Sequence, residues 1–244
     1  MTGGLPVATG HWPVPTLVDI IADGLRQEAA ARDDAGDFCG LDGLDELNLQ
    51  PLVAASLTAA GYGVWPEQRY PADRIHRRRN SGRRCDLVLT PPGRSLAALE
   101  GPMEQPRLPL GTTPPAALSH PCPLQEAYWL EVKTAAQYTI GGAAGDYSSR
   151  LLSETITDVR KMSSEPALPH AGVLLLLFAA DAETAHHDLG LVRSRCCAQN
   201  LPVLAPERNG FPINDRLGNE HATVTLLPVW TSPPGFREER PWSR

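Results

Sequence analysis

Apolar residues recur at the spacing of an α-helix in two segments near the N-terminus. In residues 16–32 an apolar side chain returns every three or four positions behind a proline, which predicts an amphipathic helix. A second such segment covers residues 45–60 and is followed by Gly61, a residue type that readily adopts the left-handed backbone that ends a helix. The acidic stretch between them, residues 33–43, is expected to form a loop.

Short apolar or alternating runs predict five β-strands, at residues 62–70, 85–90, 127–134, 171–180 and 223–230. The first contains Pro66. Because proline has no N–H to donate to a sheet, this strand is expected at an edge or at a bulge. In the third strand, the alternation of side chains separates two faces, Tyr128, Leu130 and Val132 on one and Trp129, Glu131 and Lys133 on the other.

Amphipathic patterns at residues 147–164 and 182–200 predict two more helices, the first of them after a glycine hinge at Gly141 and Gly142. Asp158 and Lys161 lie three residues apart on the first of these helices and are expected to pair with each other at the surface. Because strands and helices are mixed along the chain, we expect an α/β fold with one mixed sheet and helices on both faces.

Proline is concentrated in one part of the chain. Nine of the 24 prolines lie in residues 91–125, which therefore indicate a long insertion. The organisation expected is an N-terminal helix and acidic loop (residues 1–44), a main domain (45–230) with the proline-rich insertion (91–125), and a C-terminal tail (231–244).

Composition and motifs argue against several classes of protein. The longest apolar run, residues 172–180, is too short to cross a bilayer, and residues 1–10 lack a signal-peptide pattern, so a cytoplasmic protein without a membrane partner is expected. Five cysteines without a CxxC pair argue against a disulfide framework and against structural zinc. The absence of GxGxxG, Walker and GxSxG motifs argues against a small-molecule α/β enzyme.

Two predicted strands contain a set of charged residues suited to hydrolysis. Asp86 opens one strand, and Glu131 and Lys133 lie two apart on the next, so the pleat directs both to the same side. Two carboxylates on an apolar sheet would be costly to bury unless a cation neutralised them, and hard oxygen ligands favour Mg²⁺ over zinc. Such an ion activates water, and Lys133 would stabilise developing negative charge or orient that water. The pattern predicts phosphodiester hydrolysis.

These residues also resemble the motifs of a known superfamily. The segments GRRCDLVLT (82–90) and AYWLEVKTA (127–135) are similar to the second and third motifs of the PD-(D/E)xK, or restriction-endonuclease-like, nucleases, with Cys85 in the place of the proline. Residues 45–71 are similar to the first core helix and strand of uncharacterised members. Residues 146–162 and 170–178 resemble the helix and strand that complete the core. The resemblance implies a restriction-endonuclease-like fold: a mixed central sheet flanked by helices.

The resemblance also assigns roles. It implies that Asp86 and Glu131 bind Mg²⁺ or Mn²⁺, that Lys133 is the catalytic lysine, and that Glu46 is the helix glutamate that supports the metal. Glu28, in the preceding helix, is the alternative candidate for this role. Glu46 lies in the first turn of its helix, so it can also simply complement the helix dipole.

Two further features complete the expectation. Gln137, four residues after Lys133, corresponds to a polar residue that positions water or phosphate in some relatives, or it is a plain loop amide. Seven arginines lie in residues 69–84. This cluster is either a solvated loop or a surface that contacts phosphates, in which case the contacts are expected from Arg77, Arg78, Arg79, Arg83 and Arg84.

The function expected is that of a metal-dependent endo- or exodeoxyribonuclease, with DNA favoured as the nucleic acid. Related nucleases often pair to cut both strands, so a homodimer, or partner proteins of a defence or repair system, is implied. The alternative is a catalytically inactive restriction-endonuclease-like module that binds nucleic acid or serves in assembly.

Overall fold

The computed structural model describes residues 12–71, 83–97, 121–165 and 167–231. The helices are α1 (Val14–Asp34), α2 (Glu46–Ala59), α3 (Thr155–Ser163) and α4 (Ala182–Ala198), with a 3-10 turn at Leu41–Gly43 and a π-helical segment at Ser149–Glu154. The strands are β1 (Gly63–Arg69), β2 (Arg84–Thr90), β3 (Tyr128–Ala136), β4 (Tyr138–Thr139), β5 (Gly142–Ala143), β6 (Ala171–Ala179), β7 (Glu207–Pro212) and β8 (His221–Val229).

Among these described residues, six strands form one mixed sheet in the order β1-β2-β3-β6-β8-β7. The β3–β6 pair is parallel, and the other neighbours are antiparallel. A parallel pair requires a crossover connection, and here the π-helical segment and α3 provide it. The α/β class with a mixed sheet between helices is therefore confirmed. The expectation drawn from Pro66 is also confirmed, because β1 is an edge strand.

The two faces of the sheet bury separate apolar cores. On the α1–α2 face, Leu17 and Leu49 of the helices pack with Leu130 and Val132 of β3. On the α3–α4 face, the helices and the π-helical segment cover the opposite side of the same strand, where Trp129 is fully buried. The alternation predicted for β3 is thus confirmed. Strand β6 is buried along its whole length, which explains its continuous apolar sequence.

The ends of α2 follow the rules for helix caps. The side chain of Asp45 accepts a hydrogen bond from the backbone N–H of Asn48 at 2.9 Å, which satisfies one of the donors left over at a helix start. Gly61, just beyond the helix, has φ +91° and so adopts the left-handed backbone expected of it. This start fixes Glu46 as the first residue of α2, in a position to reach the sheet.

Several local expectations were incomplete or wrong. The glycine pair expected as a hinge belongs to a short hairpin: Gly141 lies in the turn between β4 and β5, and Gly142, with φ +98°, is the first residue of β5. The predicted helix at 147–164 begins as the π-helical segment. Strand β7 was not predicted, because only Phe211 of its six residues is buried and no alternation marks it.

Parts of the predicted organisation fall on residues that are not described. Residues 98–120 of the proline-rich insertion and 232–244 of the C-terminal tail lie outside the described residues. Leu96 and Cys122, at the two ends of the insertion, form an isolated β-bridge. All five cysteines are free. A search of the described helices found none with the length and apolar character needed to cross a membrane.

Candidate functional site

The candidate site begins where the β2–β3 ladder ends. The paired register runs from Leu89 and Tyr128 to Leu87 and Leu130. Asp86 and Glu131 are the next residues of the two strands, beyond the last backbone pair. There the backbone N–H of Val132 donates to Oδ2 of Asp86 at 2.8 Å, so a side chain takes over a hydrogen bond of the strand backbone. The carboxylate of Asp86 therefore lies against the backbone of β3 beside Glu131, at the end of the ladder.

Glu131 is a buried carboxylate that is held by two donors. Its side chain is 3% exposed, and its Oε1 accepts hydrogen bonds from the hydroxyl of Tyr70 and from Nζ of Lys161, the latter at 2.7 Å. Burial, and next the nearby charge of Asp86, raise the pKa of Glu131 to about 7, although Lys161 and Tyr70 act in the opposite direction. Near neutral pH this group therefore exchanges its proton, and a nearby positive charge favours its ionised form.

Lys133 lies on the same face and contacts two other carboxylates. Its Nζ is 3.1 Å from Oε1 of Glu46 and 3.5 Å from Oδ2 of Asp158. Burial alone would lower the pKa of Lys133, but the charges of Asp158 and Glu46 outweigh that effect and raise it. The amine stays protonated, so it can stabilise negative charge but cannot serve as a base at neutral pH.

The carboxylates that hold Lys133 are partly shielded from solvent, Asp158 more than Glu46. Burial is the main cause that raises the pKa of both Glu46 and Asp158, and Lys133 offsets part of it. Oδ2 of Asp158 is buried without a hydrogen-bond partner, since its 3.5 Å approach to Lys133 is an ion pair rather than a hydrogen bond. The charge of Asp86 also raises the pKa of both groups, as a smaller contribution than burial.

The surface pair predicted between Asp158 and Lys161 is wrong. Both side chains of α3 turn toward the sheet, Asp158 to Lys133 and Lys161 to Glu131. They lie on the packed side of α3, together with the buried Thr155, Val159 and Met162. A single helical face thus delivers one acid and one amine to the site.

Three residues of the site were not predicted: Tyr70, Asp158 and Lys161. One signal in the sequence points to Lys161. The 22 basic residues include just two lysines, Lys133 and Lys161, and both lie here. An ammonium is a compact point charge, whereas a guanidinium is a planar fork, so the two side chains are not interchangeable where geometry matters. For Tyr70, nothing in the local pattern distinguishes it from an ordinary strand-end tyrosine.

Two expected residues are placed elsewhere. Gln137 uses its amide to join β3 to α4, since its Oε1 accepts from the backbone N–H of Ala180 at 2.9 Å and its Nε2 donates to Asp188 at 3.4 Å. The alternative helix glutamate, Glu28, pairs with Arg32 at 2.8 Å on α1. The structure therefore gathers Glu46 with Lys133 and leaves Glu28 out, and it gives Gln137 a contact that ties two elements together.

The arginine cluster is only partly described. Arg77, Arg78 and Arg79 lie outside the described residues. Arg83 and Arg84 are exposed at the start of β2, within three residues of Asp86. Nη1 of Arg84 donates to the backbone carbonyl of Glu67 on β1 at 3.2 Å. Both arginines are thus close to Asp86 in sequence, and the guanidinium group of Arg84 contacts the edge strand β1.

A groove of about 420 Å³ is lined by residues next to Glu46 and Lys133 in the chain, but not by the side chains of Glu46 and Lys133 themselves. It lies between the start of α2, the end of β3, the β4–β5 hairpin and the π-helical segment, and its lining includes Asp45, Thr134, Ile140, Asp146 and Arg150. Asp45 and Thr134 are the chain neighbours of Glu46 and Lys133. The volume lies within the usual range of small-ligand sites.

The donor set suits a hard cation more than a zinc ion. Within the described ranges, no group of three or more His, Cys, Asp or Glu residues is close enough to hold a metal by itself. Mg²⁺, however, usually keeps several waters and is bound through one or two carboxylates together with substrate oxygens. Asp86 and Glu131 meet that requirement: they are adjacent carboxylates, and the charge of one raises the pKa of the other.

Comparison with protein families, with characterised proteins and with solved structures finds no match to this chain. The chemistry of the site must therefore be argued from its residues. These form two linked units, Glu131 with Tyr70 and Lys161, and Lys133 with Glu46 and Asp158. The charge of Asp86 raises the pKa of carboxyl groups in both units.

Proposed function

We propose that this protein is a divalent-metal-dependent nuclease of the restriction-endonuclease-like kind, which hydrolyses phosphodiester bonds of nucleic acid, with DNA as the preferred substrate. The observation that supports the proposal most is that Glu131 and Lys133 lie on one face of β3, and that the carboxylate of Asp86 contacts the backbone of Val132 between them, beside the end of the β2–β3 ladder. Two carboxylates and an amine in such an arrangement are the groups that phosphodiester hydrolysis requires.

The ligands and the cofactor follow from that arrangement. Asp86 and Glu131 would hold Mg²⁺ or Mn²⁺, which when bound supplies Lewis acidity toward the phosphate and lowers the pKa of a bound water. Because Glu131 has a pKa of about 7 in the free protein, its carboxylate is readily ionised when a cation approaches. The buried position of Glu131 excludes bulk water, which strengthens the electrostatic interactions of the site.

Lys133 has a separate role. Its raised pKa keeps the ammonium charged, so it would stabilise the negative charge that develops on the phosphate oxygens. Glu46 holds this ammonium at 3.1 Å from the start of α2 and is a positioning residue. In this proposal Glu46 acts through Lys133, and its support of the metal is indirect.

Cleavage assays with isosteric variants test the proposal. Plasmid DNA, linear duplex, single-stranded DNA and RNA would each be incubated with Mg²⁺, with Mn²⁺ or with a chelator. Asp86→Asn, Glu131→Gln and Lys133→Met should each lower the rate by about 100-fold or more, because each removes a charge used in the transition state. The exposed Glu154→Gln, which lies in the π-helical segment, is the matched control and should cleave like the wild type.

Two results would contradict the proposal. Cleavage that persists in the presence of the chelator would show that no divalent metal is required. Cleavage that survives Lys133→Met would show that the lysine does not have the proposed catalytic role. Circular dichroism of each variant separates a chemical effect from unfolding.

One observation favours a second function. Each amine of the site already pairs with a carboxylate, Lys161 with Glu131 and Lys133 with Glu46, so two of its four carboxylates are neutralised without an ion. This is what a catalytically inactive module for nucleic-acid binding or assembly would need. Nucleic acid that binds without Mn²⁺ binding and without cleavage would support the module and overturn the nuclease.

A further inference from the structure

Lys161 places a positive charge directly on the proposed metal ligand. Its Nζ lies 2.7 Å from Oε1 of Glu131, 3.0 Å from the backbone carbonyl oxygen of Arg84 and 4.9 Å from the centre of the Tyr70 ring. The side chain of Lys161 is 18% exposed, against 3% for Glu131. An ammonium that is this well surrounded by acceptors has a defined position rather than a loose surface contact.

We propose that Lys161 is a resident counter-cation that competes with the divalent ion for Glu131, so that this one side chain sets the affinity of the site for the metal. The inference rests on the proposed function, because it assumes that Glu131 is a metal ligand. It adds a regulatory role for a lysine that the family resemblance does not assign.

The competition follows from charge and geometry. Both hydrogen-bond donors to Glu131, the Tyr70 hydroxyl and the Lys161 ammonium, approach the same oxygen, Oε1. The neutral hydroxyl can stay when a dication binds the carboxylate, but the ammonium is repelled by it at short range. An ion that binds Oε1 must displace the Lys161 ammonium, and an ion that binds Oε2 is repelled by the ammonium that stays 2.7 Å from Oε1. In both cases the positive charge of Lys161 weakens the binding of the ion, and release of the ammonium relieves that repulsion.

Lys161 is better suited to such a displacement than Lys133. Lys133 is held between two carboxylates, Glu46 and Asp158, whereas the carboxylate partner of Lys161 is the proposed ligand itself. Lys161 also comes from α3, and its four-carbon side chain is flexible. When the ammonium leaves Glu131, Asp158 on the same helix is the next acceptor, since the charge of Lys161 already lowers the pKa of Asp158.

Equilibrium binding of Mn²⁺ tests the inference. Free Mn²⁺ would be measured by electron paramagnetic resonance at about pH 8.5, where carboxylates are largely ionised. Lys161→Gln and Lys161→Met should bind Mn²⁺ about tenfold more tightly than the wild type, because a close ion pair typically contributes at least that factor. Adding Glu131→Gln to either variant should abolish this increase in Mn²⁺ affinity. The neighbouring Arg160→Gln, an exposed charge on the same helix, should leave the affinity unchanged.

A second measurement uses the unaltered protein and does not depend on the folding of any variant. Lys133 and Lys161 are the only lysines of the chain, so mass spectrometry after brief treatment with an amine-acylating reagent reports on each separately. Saturating Mn²⁺ should raise the labelling of Lys161 severalfold relative to Lys133, since the ammonium is released from its pair.

The outcomes separate the two proposals. Tighter Mn²⁺ binding by the neutral variants, with increased labelling of Lys161 in the wild type, supports the inference. If the wild type binds Mn²⁺ through Glu131 but the neutral variants bind no tighter and labelling does not change, the role of Lys161 is overturned and the nuclease proposal stands. If neither the wild type nor the neutral variants bind Mn²⁺, both proposals fail.

Discussion

Replacing Glu131 by glutamine should remove a defined pH dependence from the stability of the metal-free protein. Burial chiefly, with Asp86 second, raises the pKa of Glu131 from 4.5 to about 7. An acid whose pKa is higher in the folded state than in the unfolded state binds its proton more tightly when folded. Its stabilising contribution is therefore complete below the unfolded pKa and is lost as the pH rises through the folded pKa.

The size of the effect follows from the two pKa values. Their difference, 7 minus 4.5, is about 2.5 units, and at about 1.4 kcal/mol per unit this amounts to about 3 kcal/mol. Because the side chain is 3% exposed, solvent screening reduces this value little. The loss should fall mainly between about pH 4.5 and 7. Glutamine does not titrate, so the unfolding free energy of the wild type relative to Glu131→Gln should fall by about 3 kcal/mol across that window.

Urea unfolding at a series of pH values, with a chelator present, measures this difference. The other carboxylates with raised pKa values, Glu46 and Asp158 among them, are present in both proteins and largely cancel in the comparison. Glu154→Gln serves as the exposed control, and its stability should run parallel to that of the wild type. If the Glu131→Gln curve also runs parallel to the wild type from acid to neutral pH, the buried environment described for Glu131 is wrong.

Three further results are expected. Tyr70→Phe should lower the unfolding free energy by about 1–3 kcal/mol in urea, because a buried carboxylate loses a donor; an unchanged midpoint would contradict this. Asp45→Ala should cost about 1 kcal/mol in thermal unfolding through loss of the α2 cap, and Asp45→Asn much less. Replacing Arg83 and Arg84 by alanine should make the salt dependence of DNA binding shallower, by about one unit of slope for each phosphate that these arginines neutralise. An unchanged slope would exclude them from the interface.

Much of the sheet could be predicted because its pattern is local. Strand β3 is covered on both faces, yet Glu131 and Lys133 interrupt one of them at alternate positions, so the sequence alone indicates their common direction. The caps of α2 are equally local, since Asp45 and Gly61 act within a few residues of their own position. Where a residue determines the backbone conformation or the direction of a side chain at its own position, that feature can be predicted from the sequence.

The rest of the site depends on contacts between distant segments. Lys161 and Glu131 are 30 positions apart, and Tyr70 and Glu131 are 61 apart. Spacing on α3 alone made a surface pair of Asp158 and Lys161 the simplest expectation, since i, i+3 neighbours usually meet. The packing of α3 against the sheet overrides that rule, because it brings Lys161 within 2.7 Å of Glu131 and Asp158 within 3.5 Å of Lys133.

Asp86 links the fold to the proposed chemistry, and this decides how its substitution must be interpreted. Its Oδ2 accepts the N–H of Val132 at 2.8 Å where the β2–β3 ladder has ended, so alanine would leave a backbone donor of β3 unsatisfied. The strand that presents Glu131 and Lys133 would then shift, and activity would disappear even if Asp86 bound no ion. Asparagine keeps an acceptor for Val132 and removes only the charge. Loss of Mn²⁺ binding in Asp86→Asn with an unchanged unfolding midpoint therefore identifies a ligand, whereas loss in Asp86→Ala alone identifies only a strand contact.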